Sequence, residues 1–160
     1  MSSNPVPLMD KALSLLSYRA HSRKELADKL KRKTSCSEEE LLSVLGRLEE
    51  LGILNDENYA ASVVRHAASK GYGKSRAVAE LARRGIPKEL WDDALSEMPE
   101  SDETLDRLVQ AKLHDPQDWD EVRKVSSSLI RRGYSWEEVR RAIDRACNDA
   151  IYEETDYDED

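Results

Sequence analysis

The 160-residue sequence has no phenylalanine, six glycines and five prolines, and its aromatic rings are limited to three tryptophans, six tyrosines and three histidines. It contains no Asn-Gly or Asp-Gly pair between alternating apolar and polar runs, so no β-hairpin is signalled and no β-sheet is expected. No eighteen consecutive residues are apolar, which excludes an obvious membrane-spanning helix, and the first residues lack the basic start and apolar stretch of a secretory leader. The two cysteines, Cys36 and Cys147, lie far apart without a CxxC pair and read as reduced thiols, which places the chain in the cytoplasm. His21, His66 and His114 have no ligand spacing around them. Neither a Gly-rich phosphate loop, a nucleophile elbow nor an HExxH motif occurs. Adjacent acids such as Asp92 and Asp93 point to different sides of a helix. These absences predict a protein that is not an enzyme and carries neither metal nor cofactor.

Charge, by contrast, is plentiful: 36% of residues are Asp, Glu, Lys or Arg, and the net charge is −8. Six acids, from Glu153 to Asp160, fall after Tyr152, which leaves residues 1–152 with 25 basic and 27 acidic residues, a net of −2. The low overall pI therefore conceals a nearly neutral body in which basic residues can cluster.

The strongest pattern is a repeat. Residues 81–95 return as residues 129–143 without insertion or deletion, aligning Leu81, Arg83, Arg84 and Gly85 with Leu129, Arg131, Arg132 and Gly133. A weaker copy at residues 30–45 is one residue longer in its turn. Counted from their last apolar residues, Leu45, Leu95 and Ile143 share a register, as do Leu41, Trp91 and Val139. A spacing near fifty residues marks a supersecondary unit used serially, each unit burying its open face on the next. Such arrays present an extended surface to a partner.

Each copy reads as three short helices. Ser22 with Glu25, Ser37 with Glu40 and Ser135 with Glu138 have capping-box spacing, and Pro87 is placed to open another helix, expected to reach Met98. Asp115 followed by Pro116 predicts a helix start in the third copy. The chain then divides into a disordered lead at 1–7, helical repeats at 8–54, 55–99 and 100–151, and an acidic disordered tail at 152–160. The fold class is all-α, three tandem three-helix repeats.

Basic residues recur where the second helix of each copy ends: Lys29, Lys31, Arg32 and Lys33, then Arg83 and Arg84, then Arg131 and Arg132. Lys74 and Arg76 add charge at a preceding turn. One such pair only complements a helix macrodipole, for about 0.3–1 kcal/mol per charge. Three in register line one side of the array and form the footprint expected for a polyanion or an acidic protein surface. Trp91, in register with Leu41 and Val139, reads as a core residue. Tyr72, beside Gly73 and Lys74, is the better candidate for an exposed aromatic, against the plainer reading of a packed turn residue. The acidic tail is either a solubilising end or a mask over the basic stripe.

The whole pattern resembles the RecX family of bacterial recombination regulators. The resemblance rests on Ala12, Leu13 and Leu16; on Ser22 to Leu26 with Lys29 and Leu30; on Leu51 to Asp56 followed by Tyr59 and Ala60; on Gly71, Tyr72, Gly73 and Arg76; on Glu80 and Leu81 through Arg84, Gly85 and Ile86; and on Arg131 to Ser135. It spans residues 8–146. Departures are Lys33-Thr34 where the family usually has Lys-Gly, Ala77 in place of a common Ile, and Tyr59 and Tyr134 where Phe is frequent. The resemblance implies three tandem three-helix repeats forming a curved, elongated array, and a monomeric, non-enzymatic regulator that binds the helical groove of the RecA nucleoprotein filament and limits recombinase and coprotease activity in DNA repair and the SOS response. It further implies weak contact with single-stranded DNA, with duplex DNA a further candidate. Two other functions fit the pattern: a helix-turn-helix DNA-binding protein built on residues 25–54, and a helical-repeat adaptor without DNA contact.

Overall fold

A computed structural model describes residues 5–155, with side chains described from residue 7 to residue 149. Among these residues there are nine α-helices, one short 3-10 turn and no strand, so the protein is all-α. The helices are α1 (Pro5–Tyr18), α2 (Arg23–Lys33), α3 (Glu38–Glu50), α4 (Asp56–Ser69), α5 (Lys74–Arg83), α6 (Trp91–Leu95), α7 (Ser101–Lys112), α8 (Trp119–Arg131) and α9 (Trp136–Thr155). The 3-10 turn, Lys88–Leu90, precedes α6.

Local chemistry accounts for most of the starts. Ser22 closes a complete capping box: its Oγ accepts from the Glu25 amide at 3.0 Å while its own amide donates to the Glu25 carboxylate at 3.1 Å. Ser135 and Glu138 make the same exchange at 3.1 and 2.9 Å. Ser37 accepts from the Glu40 amide at 3.2 Å.

Four expectations need correction. α1 begins at Pro5, inside the anticipated lead, because a proline in the first helical turn lacks only an amide that would have had no partner. α8 begins at Trp119, since the Asp118 carboxylate accepts from the amides of Asp120 and Glu121, whereas Asp115 turns back on the amide of Gln117. The helix expected from Pro87 to Met98 shrinks to the 3-10 turn and the five residues of α6; no side chain caps either, and Trp91 is only partly buried. α9 runs on to Thr155, carrying Glu153 and Glu154 in helix, because nothing after Ser135 breaks it and glutamate is a good helix former. The rest of the tail lies outside the described residues.

The chain forms two compact units, one of residues 1–65 and 78–97, the other of residues 66–77 and 98–160. The division passes through α4 and α5. In the first unit α1, α2 and α3 enclose Leu8, Ala12, Leu26, Leu30, Leu41, Leu45 and Leu48. In the second, α7, α8 and α9 enclose Leu105, Val109, Leu129, Val139 and Ala142. Full burial of one such leucine or valine is worth about 1.5–3 kcal/mol. The leucine that heads each copy, Leu30, Leu81 and Leu129, is 0% exposed in all three, so the repeat register is a register of cores.

Candidate polyanion interface

The basic turns are built alike in the two complete copies. At the end of α5 and again after α8 a glycine takes a left-handed conformation, Gly85 at φ +71° and Gly133 at φ +104°. Each accepts the close approach of another turn. Lys24 lies against Gly85, and the Arg76 backbone lies against Gly133, where an added Cβ would meet the Arg76 amide nitrogen at 2.5 Å. The first copy differs, because Thr34 ends α2 in an extended conformation, its Oγ and amide both donating to the Leu30 carbonyl.

Hydrogen bonds lock these approaches. In the first unit Ser22 Oγ donates to the Arg84 carbonyl at 2.5 Å. In the second, the Gly73 amide donates to the Arg132 carbonyl at 2.9 Å and the Ser75 amide to the Gly133 carbonyl at 3.1 Å. Both Arg-Arg-Gly turns thus offer backbone acceptors to the turn that opens a second helix.

This geometry separates the two arginines of each pair. Arg84 turns inward, donating to the Tyr59 hydroxyl at 2.5 Å and lying 3.5 Å from Glu80. Arg132 also turns inward, donating to the carbonyls of Lys70 at 2.7 Å and Gly71 at 3.4 Å. Their neighbours Arg83 and Arg131 remain exposed. Arg83 is paired with Glu80 at 2.7 Å, while Arg131 has no ion pair or hydrogen-bonding side-chain partner among the described residues.

The remaining basic candidates divide in the same way. Lys29 points inward, its Nζ 2.8 Å from His21 Nε2. His21 Nδ1 lies 2.9 Å from the Arg19 carbonyl, so the ring donates from Nδ1 and accepts from Lys29. Burial first, then the cations of Arg19 and Lys29, lower the His21 pKa and favour the neutral ring. Lys31 is exposed and 3.9 Å from Glu38, and Arg32 donates to the Asp28 carbonyl at 3.3 Å. Lys33, Lys74 and Arg76 are exposed, and none has a carboxylate partner among the described residues.

Tyrosines organise the guanidiniums, a role the sequence reading did not assign. The Tyr59 hydroxyl accepts from Arg84 and, at 3.3 Å, from Arg19, which also pairs with Glu25 at 2.9 Å. Burial would raise the Glu25 pKa, but hydrogen bonds from Arg19, the Ser22 amide and Tyr59 outweigh it and hold the carboxyl below its ordinary value. The Tyr134 hydroxyl donates to the Gly71 carbonyl at 2.8 Å, and burial raises its pKa. Tyr72 is half-buried, with the guanidiniums of Arg76 and Arg132 at 4.6 and 5.3 Å from its ring centre. The pairing of Arg84 with Tyr59 had no local signal, since 25 residues separate them. Trp119 and Trp136 are 80% and 60% exposed.

Among the described residues no His, Cys, Asp and Glu group could hold a metal, and no helix is long and apolar enough to cross a membrane.

Comparison with known proteins finds a match for each of the three helix triplets. The first, second and third three-helix domains of RecX match residues 9–48, 55–95 and 100–143. Regulatory protein RecX of Ectopseudomonas mendocina is 34% identical over 154 residues, covering 93% of this chain and all of that protein. Regulatory protein RecX of Stenotrophomonas maltophilia R551-3 is 35% identical over 138 residues, 84% of this chain and 83% of its own length. Among solved structures, the crystal structure of RecX from Lactobacillus salivarius superposes with a TM-score of 0.78 at 27% identity, covering 88% of this chain and 95% of that one.

Proposed function

The chain belongs to the RecX family of regulatory proteins, and from that premise we propose that it regulates RecA by binding in the helical groove of the RecA–DNA filament. Bound there, it limits recombinase and coprotease activity without chemistry of its own. The observation that carries this reading is the orientation of the basic turns: in each Arg-Arg-Gly copy one arginine is spent inside the fold and the other faces solvent.

The division has a physical logic. Inward Arg84 and Arg132 fix the turns; outward Arg131, Lys74 and Arg76 are free to meet DNA phosphates or acidic subunit surfaces, and Arg83, exposed but paired with Glu80, can do so by exchanging that carboxylate. Exposed cations with no carboxylate at hand repel one another and gain most from a polyanion. Occupying the groove excludes duplex DNA or a repressor substrate, and differential affinity for filament states shifts the balance between them. Such a protein acts in the cytoplasm as a monomer, in DNA repair and the SOS response.

Strand exchange and repressor cleavage by RecA, assayed with added chain, test the proposal. Both reactions should be inhibited, and the Arg83→Glu/Arg131→Glu variant should inhibit weakly while keeping its helical circular dichroism. Full inhibition by that variant would remove the basic turns from the mechanism, and inhibition of neither reaction by the parent would remove the function.

A further inference from the structure

We propose that Tyr72 is a positioning residue that holds Arg76 for a phosphodiester contact, forming with Lys74 and Arg131 the principal single-stranded DNA site of the second unit. This rests on the reading that the chain meets DNA in the filament, and it names a residue and a ligand class within it.

Three observations converge. The first is the contrast among tyrosines: Tyr59 and Tyr134 use their hydroxyls to fasten the fold, whereas the Tyr72 hydroxyl has no protein partner among the described residues. What Tyr72 offers is its ring, approached by two guanidiniums. The second is the difference between those guanidiniums. Arg132 spends Nε and Nη2 on the carbonyls of Gly71 and Lys70. Arg76 makes no hydrogen bond or ion pair among the described residues, so the ring is what orients it. A guanidinium placed over an aromatic ring keeps its N–H donors available for bidentate contact with a phosphate.

The third observation is the local charge. The bonds from Gly73 to Arg132 and from Ser75 to Gly133 bring residues 73–76 beside residues 131–134. Lys74, Arg76 and Arg131 therefore sit on two backbone segments held side by side, all exposed and none with a carboxylate partner among the described residues. Arg83 in the first unit instead has Glu80 at 2.7 Å. An incoming phosphate must displace that carboxylate at Arg83 and displaces none at Arg76. Several unneutralised cations on adjoining segments suit a ligand with regularly spaced negative charges, which is the chemistry of a phosphodiester backbone.

The test compares Tyr72→Leu, Tyr72→Phe, Arg76→Ala and the Tyr72→Leu/Arg76→Ala double variant of the full chain. Binding to a labelled oligothymidylate and to RecA-coated oligothymidylate is followed across a salt titration, with circular dichroism and melting temperature recorded for each protein. Tyr72→Leu should weaken binding to the bare oligonucleotide about three- to fivefold, in keeping with a cation–π contact at an exposed site. Tyr72→Phe should stay within about twofold of the parent. Arg76→Ala should also lower the salt slope by about 0.7, one single-strand phosphate contact. The double variant should be no weaker than Arg76→Ala, because the ring acts through that arginine. Additive losses, or a Phe variant as weak as the Leu variant, overturn the positioning role. Weakened filament binding with unchanged binding to bare oligothymidylate assigns the locus to an acidic protein surface and overturns the phosphodiester assignment. Unchanged binding by every Tyr72 variant, with Arg83→Glu/Arg131→Glu still defective, refutes this inference and leaves the proposed function standing. Absence of filament binding by the parent refutes both.

Discussion

Replacing Gly73 with alanine should be among the most damaging single-methyl changes in the protein. Gly73 is not in the left-handed region, since positive φ among the described residues is confined to Gly52, Gly71, Gly85 and Gly133. The cost is therefore steric. A Cβ at Gly73 would collide with the Gly133 carbonyl oxygen and lie 2.7 Å from the Tyr134 amide nitrogen, both of them backbone. The two turns must separate, which breaks the bonds from the Gly73 amide to Arg132 and from the Ser75 amide to Gly133. Two backbone hydrogen bonds are worth about 1–3 kcal/mol net, and stranding the buried Gly73 amide adds about 1–3 kcal/mol, partly offset by relaxation. A loss of about 2–4 kcal/mol follows. Gly52→Ala is the control: at φ +73° with no atom within 4 Å of the added methyl, it should cost only about 1 kcal/mol of backbone strain. Urea denaturation of both variants supplies the comparison. Equal midpoints would mean that the turn-on-turn lock contributes nothing and that glycine serves only conformation.

Arg84→Ala should lower stability by about 1–2 kcal/mol, through the charged hydrogen bond to Tyr59, while Arg83→Ala stays within about 0.5 kcal/mol; thermal melts yielding equal losses would refute the inward and outward assignment. Trp91→Ala should cost roughly 2 kcal/mol, less than the ~3–5 kcal/mol of an enclosed tryptophan, because Trp91 is only partly buried and its Nε1 donates to the Ile86 carbonyl at 2.9 Å; a larger loss would show that the ring is a core residue after all. Truncation after Ala150 should leave oligonucleotide binding unchanged at 0.15 M salt, where the Debye length is about 8 Å, and strengthen it modestly at 0.01 M, where it is about 30 Å; strengthening at 0.15 M would require direct contact between tail and basic turn. His21 should make stability depend on pH: its lowered native pKa means that the unfolded chain binds the proton more readily, so stability is complete above the ordinary value of 6.5 and falls as pH drops from there towards the native value. A melting temperature between pH 7.5 and 5 that declines equally in His21→Gln would assign the decline to other groups.

The expectation for the tail changed because of α9. From Trp136 to Thr155 the helix rises about 28 Å, so Glu153 and Glu154 belong to its last turn and not to an irregular tail.

Other parts of the molecule were legible to different degrees, for reasons that lie in the range of the interactions. Helix starts set by Ser22, Ser37 and Ser135 could be read directly, since a capping box closes within four residues. The common register of Leu30, Leu81 and Leu129 was equally plain, because helical periodicity records burial. The start of α8 was displaced because Asp115 and Asp118 have the same capping chemistry and only the fold chooses between them. The first Arg-Arg-Gly copy looked like two equivalent cations in sequence. Its division into Arg83 and Arg84 depends on Tyr59, on a different helix, and no local pattern encodes that partner. Lys29 reads as a surface lysine for the same reason, until the ring of His21 is found beside it.

The most direct test of the account is the affinity of the chain for RecA-coated single-stranded DNA against the same DNA without RecA, measured by anisotropy of a labelled protein through a salt titration. The account predicts tighter binding to the filament, retained at 0.15 M salt and weakened by Arg83→Glu/Arg131→Glu. Equal affinity for coated and bare DNA at every salt concentration would contradict it.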